Sequence, residues 1–98
     1  MVRGPNNMHG EYKVPGGKLV VADLEIRDGR FAAVEISGDF FLEPAEALAL
    51  IAEAITGLPA DLTAAEIAEQ ISNALPDDIV MLGFSPEAVA HAVRRAVG

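Results

Sequence analysis

The stretch Lys18–Phe41, KLVVADLEIRDGRFAAVEISGDFF, decides how the rest of the chain can fold. Val20, Ala22, Leu24 and Ile26 share one face of an alternating run, with Asp23, Glu25 and Arg27 on the other. Asp28-Gly29 is a turn signal. Beyond it, Ala32, Val34 and Ile36 share a face, and Gly38-Asp39-Phe40-Phe41 ends the alternation abruptly. The spacing predicts an antiparallel hairpin over about 18–37. A two-residue turn would set Val34 opposite Asp23 and mix the faces. A three-residue loop, Arg27-Asp28-Gly29, sets Val20 against Ile36, Ala22 against Val34 and Leu24 against Ala32. Because a one-residue slip turns a whole strand over, the continuous apolar face favours that loop. Gly29 is then expected in the left-handed region, as part of a bulged turn.

Working outward, residues 1–9 read as a flexible lead-in and 10–98 as one domain. Glu11–Val14 reads as a short edge strand, and Pro15-Gly16-Gly17 forces a turn after it. Pro44 is expected to open a helix over about 44–56, with Leu48, Ile51, Ala52 and Ile55 as its inner stripe. Gly57 would cap it, and Pro59 prevents its continuation. Thr63-Ala64-Ala65-Glu66 fits a capping box for a second helix over about 63–75, burying Ile67, Ile71 and Leu75. Ile79–Leu82 leaves a buried connector and a brief strand both open. Ser85-Pro86 starts a third helix over about 86–97, with Val89, Ala92, Val93 and Ala96 turned inward. His9 and His91 read as surface residues. Strands followed by helices make the fold class α+β: a small antiparallel sheet of two to three strands covered by about three helices.

The 98 residues carry 7 basic and 15 acidic side chains, a net charge of −8. That balance disfavours nucleic acid and anionic membrane surfaces as partners. There is no cysteine, which removes thiolate catalysis, disulfides and cysteine metal sites, and two histidines distant in sequence make no zinc site. The opening MVRGPNNMHG is polar and has no apolar core, so a cytoplasmic location is the expectation. Pro15-Gly16-Gly17-Lys18 is not a P-loop, since it lacks G-x-x-x-x-G-K-[ST]. Glu43, Glu46 and Glu53 read as solvated carboxylates, with nothing to suggest a pocket that would shift them.

The segments GEYKVPGGKLV at 10–20, DG at 28–29 and GDFF at 38–41 resemble the accessory domain of lipoate–protein ligases, and GFSPEAVAHAV resembles the end of that domain. The resemblance spans roughly residues 10–97. It implies a fold like that of the iron–sulfur scaffold proteins, although the absence of cysteine excludes the scaffold chemistry itself. It also implies a division of labour. A separate catalytic chain would bind lipoate, ATP and Mg and form lipoyl-adenylate, then hand the lipoyl group to a lysine of an acceptor domain. This chain, with no cofactor and no activity of its own, would enable the adenylation step.

On that reading Lys13, Gly16, Gly17 and Lys18 contact the adenylate or the partner, one of the two lysines reaching across when the small chain closes. Asp39, Phe40 and Phe41 are candidates for the interface. Two roles remain open for Asp39, a hydrogen bond to backbone N–H groups after the sheet or a contact with the catalytic chain. One of Phe40 and Phe41 should enter the core and the other meet the surface. A homodimer through the uncovered Phe or the outer hairpin face stays open for an isolated chain, since that patch would lack its natural cover. The rival reading is an interaction module for another adenylating or cofactor-transfer enzyme.

Overall fold

The computed structural model describes residues 7–97. The expected flexibility of residues 1–6 lies outside them. Three strands, β1 (Asn7–Lys13), β2 (Leu19–Arg27) and β3 (Arg30–Gly38), form an antiparallel sheet in the order β1-β2-β3. Two three-residue strands, β4 (Phe41–Glu43) and β5 (Val80–Leu82), form a separate antiparallel ribbon. The helices are α1 (Ala47–Ile55), α2 (Ala64–Ala74) and α3 (Pro86–Val97). The α+β class is as read from the sequence. None of the described helices is long and apolar enough to cross a membrane.

The hairpin follows a register different from the expected one. Arg27 pairs with Arg30, so the turn has two residues, and both Asp28 (φ 53°) and Gly29 (φ 76°) take positive φ. That is the type I′ geometry, whose twist matches the twist of the flanking strands. The parity conflict that argued against such a turn is absorbed inside the sheet. Asp23 pairs with Glu35 but Glu25 pairs with Ala32, so Leu24 alone faces the two residues Ala33 and Val34. This is a β-bulge, with Ala33 at φ 50°. A left-handed alanine costs about 1–2 kcal/mol. In return Ile36 stands opposite Ala22 and Phe31 opposite Ile26, all on the helix-facing side. Phe31 is therefore core, and Ala32, which had been expected there, pairs with Glu25 on the open face.

Strand β1 begins at Asn7 rather than Glu11, so residues 7–9 belong to the sheet. Met8 and Tyr12 pack against the core, and Gly10 between them is buried. A Cβ on Gly10 would lie 2.2 Å from the Ala96 nitrogen and 2.3 Å from the Ala92 oxygen. The α3 backbone thus rests directly on β1. Its last turns are fastened there by the Tyr12 ring, which stacks on His91 (centroids 5.0 Å apart) and lies under the Arg95 guanidinium (5.1 Å). Arg95 also donates to the Glu11 carbonyl (3.3 Å), and Arg94 donates to the Ala60 carbonyl (2.6 Å). Their position in the last turn suits the helix dipole as well.

Helix α3 covers β1 and β2, α1 covers β3, and α2 packs against α3 and α1. The core they enclose includes Val20, Ala22, Ile51, Ile55, Ile67, Ile71, Val89 and Val93, all without solvent exposure. The expected capping box is complete. The Thr63 N–H donates to Glu66 Oε1 (2.9 Å) and the Glu66 N–H to Thr63 Oγ1 (3.2 Å). Ser85 caps α3 by accepting from the Ala88 N–H (3.2 Å). Helix α1 starts later than expected. Pro44 lies three residues ahead of it, in a turn of successive i+3 bonds from Ala47 to Pro44, Leu48 to Ala45 and Ala49 to Glu46. After α1, the Gly57 N–H donates to the Phe31 carbonyl and the Phe31 N–H to that of Leu58. The connection to α2 thereby pairs with the first residues of the free edge of β3, which would otherwise be open to strand addition there.

Candidate functional site

Between β1 and β2 the chain reverses through Val14-Pro15-Gly16-Gly17. The Gly17 N–H donates to the Val14 carbonyl (2.8 Å), with Pro15 at the second position and Gly16 (φ 72°) at the third. This is a type II turn, and its third position calls for glycine. The Val14 N–H then closes on the Lys18 carbonyl (3.0 Å). Lys13 spends its ammonium inside this loop, donating to Gly17 O (2.6 Å) and Val14 O (3.2 Å). Lys18 does not. Among the described residues its ammonium has no ion pair or side-chain hydrogen bond, while its backbone N–H donates to Gly83 O (2.9 Å).

That last bond ties the glycine turn to the segment after β5. Gly17 and Gly83 pack backbone to backbone, since a Cβ on Gly17 would stand 2.7 Å from Gly83 O. Asp39 makes the second tie. Its Oδ1 accepts from the Leu19 N–H (2.9 Å), which pins the start of β2 to the exit of β3. Of the two roles open for Asp39, the backbone bond is the one present. The third tie is aromatic. Phe40 is half-buried and stacks on the buried Phe84, centroids 3.9 Å apart and planes 19° off parallel.

The β4–β5 ribbon lies over this junction. Leu42 pairs with Met81, and both are half-buried against the core. The alternate residues point the other way. Phe41 pairs with Leu82 and Glu43 with Val80, and here Phe41 is 50% exposed, Leu82 58% and Val80 42%. Beside the ribbon an open cleft of about 250 Å³ is lined by Ser37, Gly38, Phe40, Leu42, Ala45 and Leu48. Phe40 is thus the inward partner and Phe41 the outward one.

The seven residues singled out in the sequence, Lys13, Gly16, Gly17, Lys18, Asp39, Phe40 and Phe41, gather at one end of the molecule. Sequence reading missed Val80, Leu82, Gly83 and Phe84, which complete it. The only available signal was the apolar run IVML followed by Gly-Phe, too short to assign. Among the described residues no charged or polar side chain is buried and no cluster of His, Cys, Asp and Glu could hold a metal ion. The arrangement offers an apolar surface, a cleft and an uncommitted cation.

A second constellation lies on the open face of the sheet. His9 Nε2 meets Glu11 Oε2 (2.8 Å), and Nδ1 meets Asp23 Oδ1 (2.7 Å). Both bonds donate from nitrogen when the ring is an imidazolium. Glu11 first and Asp23 second therefore raise the histidine above its ordinary pKa of 6.5.

No family model matches the chain, and no curated protein does. A solved structure from Thermoplasma acidophilum is similar in fold. It is described as an archaeal lipoylation system, a bi-partite lipoate protein ligase and its E2 lipoyl domain. The likeness spans 90% of this chain and 92% of that one, with a TM-score of 0.67 and 22% sequence identity. At that identity the shared property is the fold.

Proposed function

We propose that this chain is the non-catalytic accessory subunit of a two-chain lipoate–protein ligase. The observation that carries the reading is the fold shared over nine-tenths of both chains with a component of a bi-partite lipoate protein ligase system. It is supported by the PGGK turn and the GDFF segment, which carry the sequence resemblance and meet at one end of the fold through the Leu19–Asp39 bond.

In the reaction, the lipoate carboxylate attacks the α-phosphorus of ATP and displaces pyrophosphate. A lysine amine of the acceptor domain then attacks the acyl carbon of the mixed anhydride and displaces AMP. Lipoate, ATP and Mg belong to the catalytic chain. The first step builds negative charge on the phosphates and needs water kept from the anhydride. This chain contributes by closing over that site. Lys18, whose ammonium has no partner among the described residues, faces the phosphates or an acidic surface of the catalytic chain. Lys13, Gly16 and Gly17 hold the turn that presents it.

The test is pyrophosphate release from lipoate and ATP by the candidate catalytic chain, with and without this protein. Release that requires both chains is the expected result. Equal release by the catalytic chain alone rejects the accessory role and shifts the reading to an interaction module for a different adenylating enzyme.

A further inference from the structure

The geometry points to the outer face of the β4–β5 ribbon as the docking surface for the catalytic chain, on a partner patch that is apolar at its centre and basic at one flank. This rests on the proposed function and adds which residues dock and what they meet. The ribbon already packs its inner residues, Leu42 and Met81, against the core, so the fold has no need of apolar residues on the other side. Yet Phe41, Leu82 and Val80 all stand there at two-fifths to three-fifths exposure, with Phe41 and Leu82 directly opposed. Scattered surface apolar residues are ordinary, but three gathered on one small ribbon face mark an interaction site.

Charge selects the occupant. Glu43 pairs with Val80 at one end of the ribbon, and the chain places Glu46, Asp77 and Asp78 within three residues of that pair. None of these four carboxylates has a hydrogen bond or ion pair among the described residues. At the opposite end, where Phe41 meets Leu82, stands Lys18, through its bond to Gly83. A second copy of this chain, with a net charge of −8, has in a symmetric contact only Lys18 on this face to set against the four carboxylates. A catalytic chain with lysines or arginines facing Glu43 and Glu46 would satisfy them. Aromatic anchors dominate such interfaces, so Phe41 and its neighbour Leu82 should carry most of the affinity.

The test measures binding of the full chain to the candidate catalytic chain by calorimetry, alongside pyrophosphate release. Phe41→Ala and Leu82→Asp should each raise Kd about 30-fold or more. Glu43→Lys with Glu46→Lys should slow association about tenfold at low salt and flatten its salt dependence, while Glu69→Lys on exposed α2 leaves both unchanged. The substituted residues are exposed, so unfolding midpoints should stay at the wild-type value, which separates lost docking from lost folding. Tight binding that survives Phe41→Ala and Leu82→Asp overturns this surface and leaves the accessory role standing. No binding and no stimulation by the wild-type chain overturns both. A wild-type dimer that Leu82→Asp dissolves, and that persists beside the catalytic chain, assigns the patch to a second copy and overturns the proposal.

Discussion

Gly10→Ala is the sharpest stability test of the fold. Gly10 is not a turn residue, and its substitution meets no backbone strain. It meets α3. The new methyl carbon would stand 2.2 Å from the Ala96 nitrogen, 2.3 Å from the Ala92 oxygen and 2.8 Å from the Ala96 Cα. All three are helix backbone atoms, so no rotamer change relieves the clash. Ordinary contact begins near 3.4 Å, so β1 and α3 must separate by about 1 Å, enough to forfeit much of the dispersion energy of the atoms facing that gap. The movement would loosen Val89, Ala92 and Val93, which are fully buried against the sheet. Overpacking costs about 1–3 kcal/mol, and the rigid neighbours place this case near the top of that range. A domain of this size loses roughly 4–8 °C per kcal/mol, so the midpoint should fall by roughly 10–20 °C. Urea denaturation gives the free energy directly if the slope m is unchanged. Gly29→Ala is the matched control. Its Cβ meets nothing within 4 Å, and its cost comes only from φ 76°, about 1–2 kcal/mol. If Gly10→Ala costs no more than Gly29→Ala, then β1 does not lie against α3 as described.

Two further predictions follow from single side chains. The folded pKa of His9 is raised, so its contribution to stability is fully present below its ordinary pKa of 6.5 and is lost as pH rises through the folded value. Following the His9 ring by NMR should give a midpoint above 6.5, and His9→Gln should remove this part of the pH dependence; a midpoint at or below 6.5 would show that Glu11 and Asp23 do not clamp the ring. Lys18→Ala should lower the pyrophosphate release of the two-chain mixture roughly tenfold or more at saturating chain, a typical scale for a lost charged contact. Unchanged release would return the glycine turn to a purely structural role.

Much of the architecture was legible because it is local. The capping box Thr63–Glu66 and the Ser85-Pro86 start close within one helical turn, so α2 and α3 appear where their own residues place them. The inward face of β2 follows from alternation alone. The register of β3 did not, because two local rules conflict there. The Asp28-Gly29 turn calls for two residues while the apolar pattern calls for three, and only a bulge at Ala33 satisfies both. The candidate site was half legible. The turn and the GDFF segment were visible as unusual residues, but nothing near Phe41 in sequence indicates Leu82 opposite it.

By itself, then, the sequence determined the fold class, the three helices, the core face of β2, the positive φ of Gly29 and the acidic exterior. Each depends on periodicity, capping or turn chemistry within a few residues. Tertiary structure alone decided that Phe40 turns in to Phe84 and Phe41 out, that β4 finds β5 across the intervening α1 and α2, and that Gly10 receives α3. Those outcomes depend on which distant surfaces meet and how closely. Contact distance is a property of the packed molecule, and no pattern along the chain encodes it.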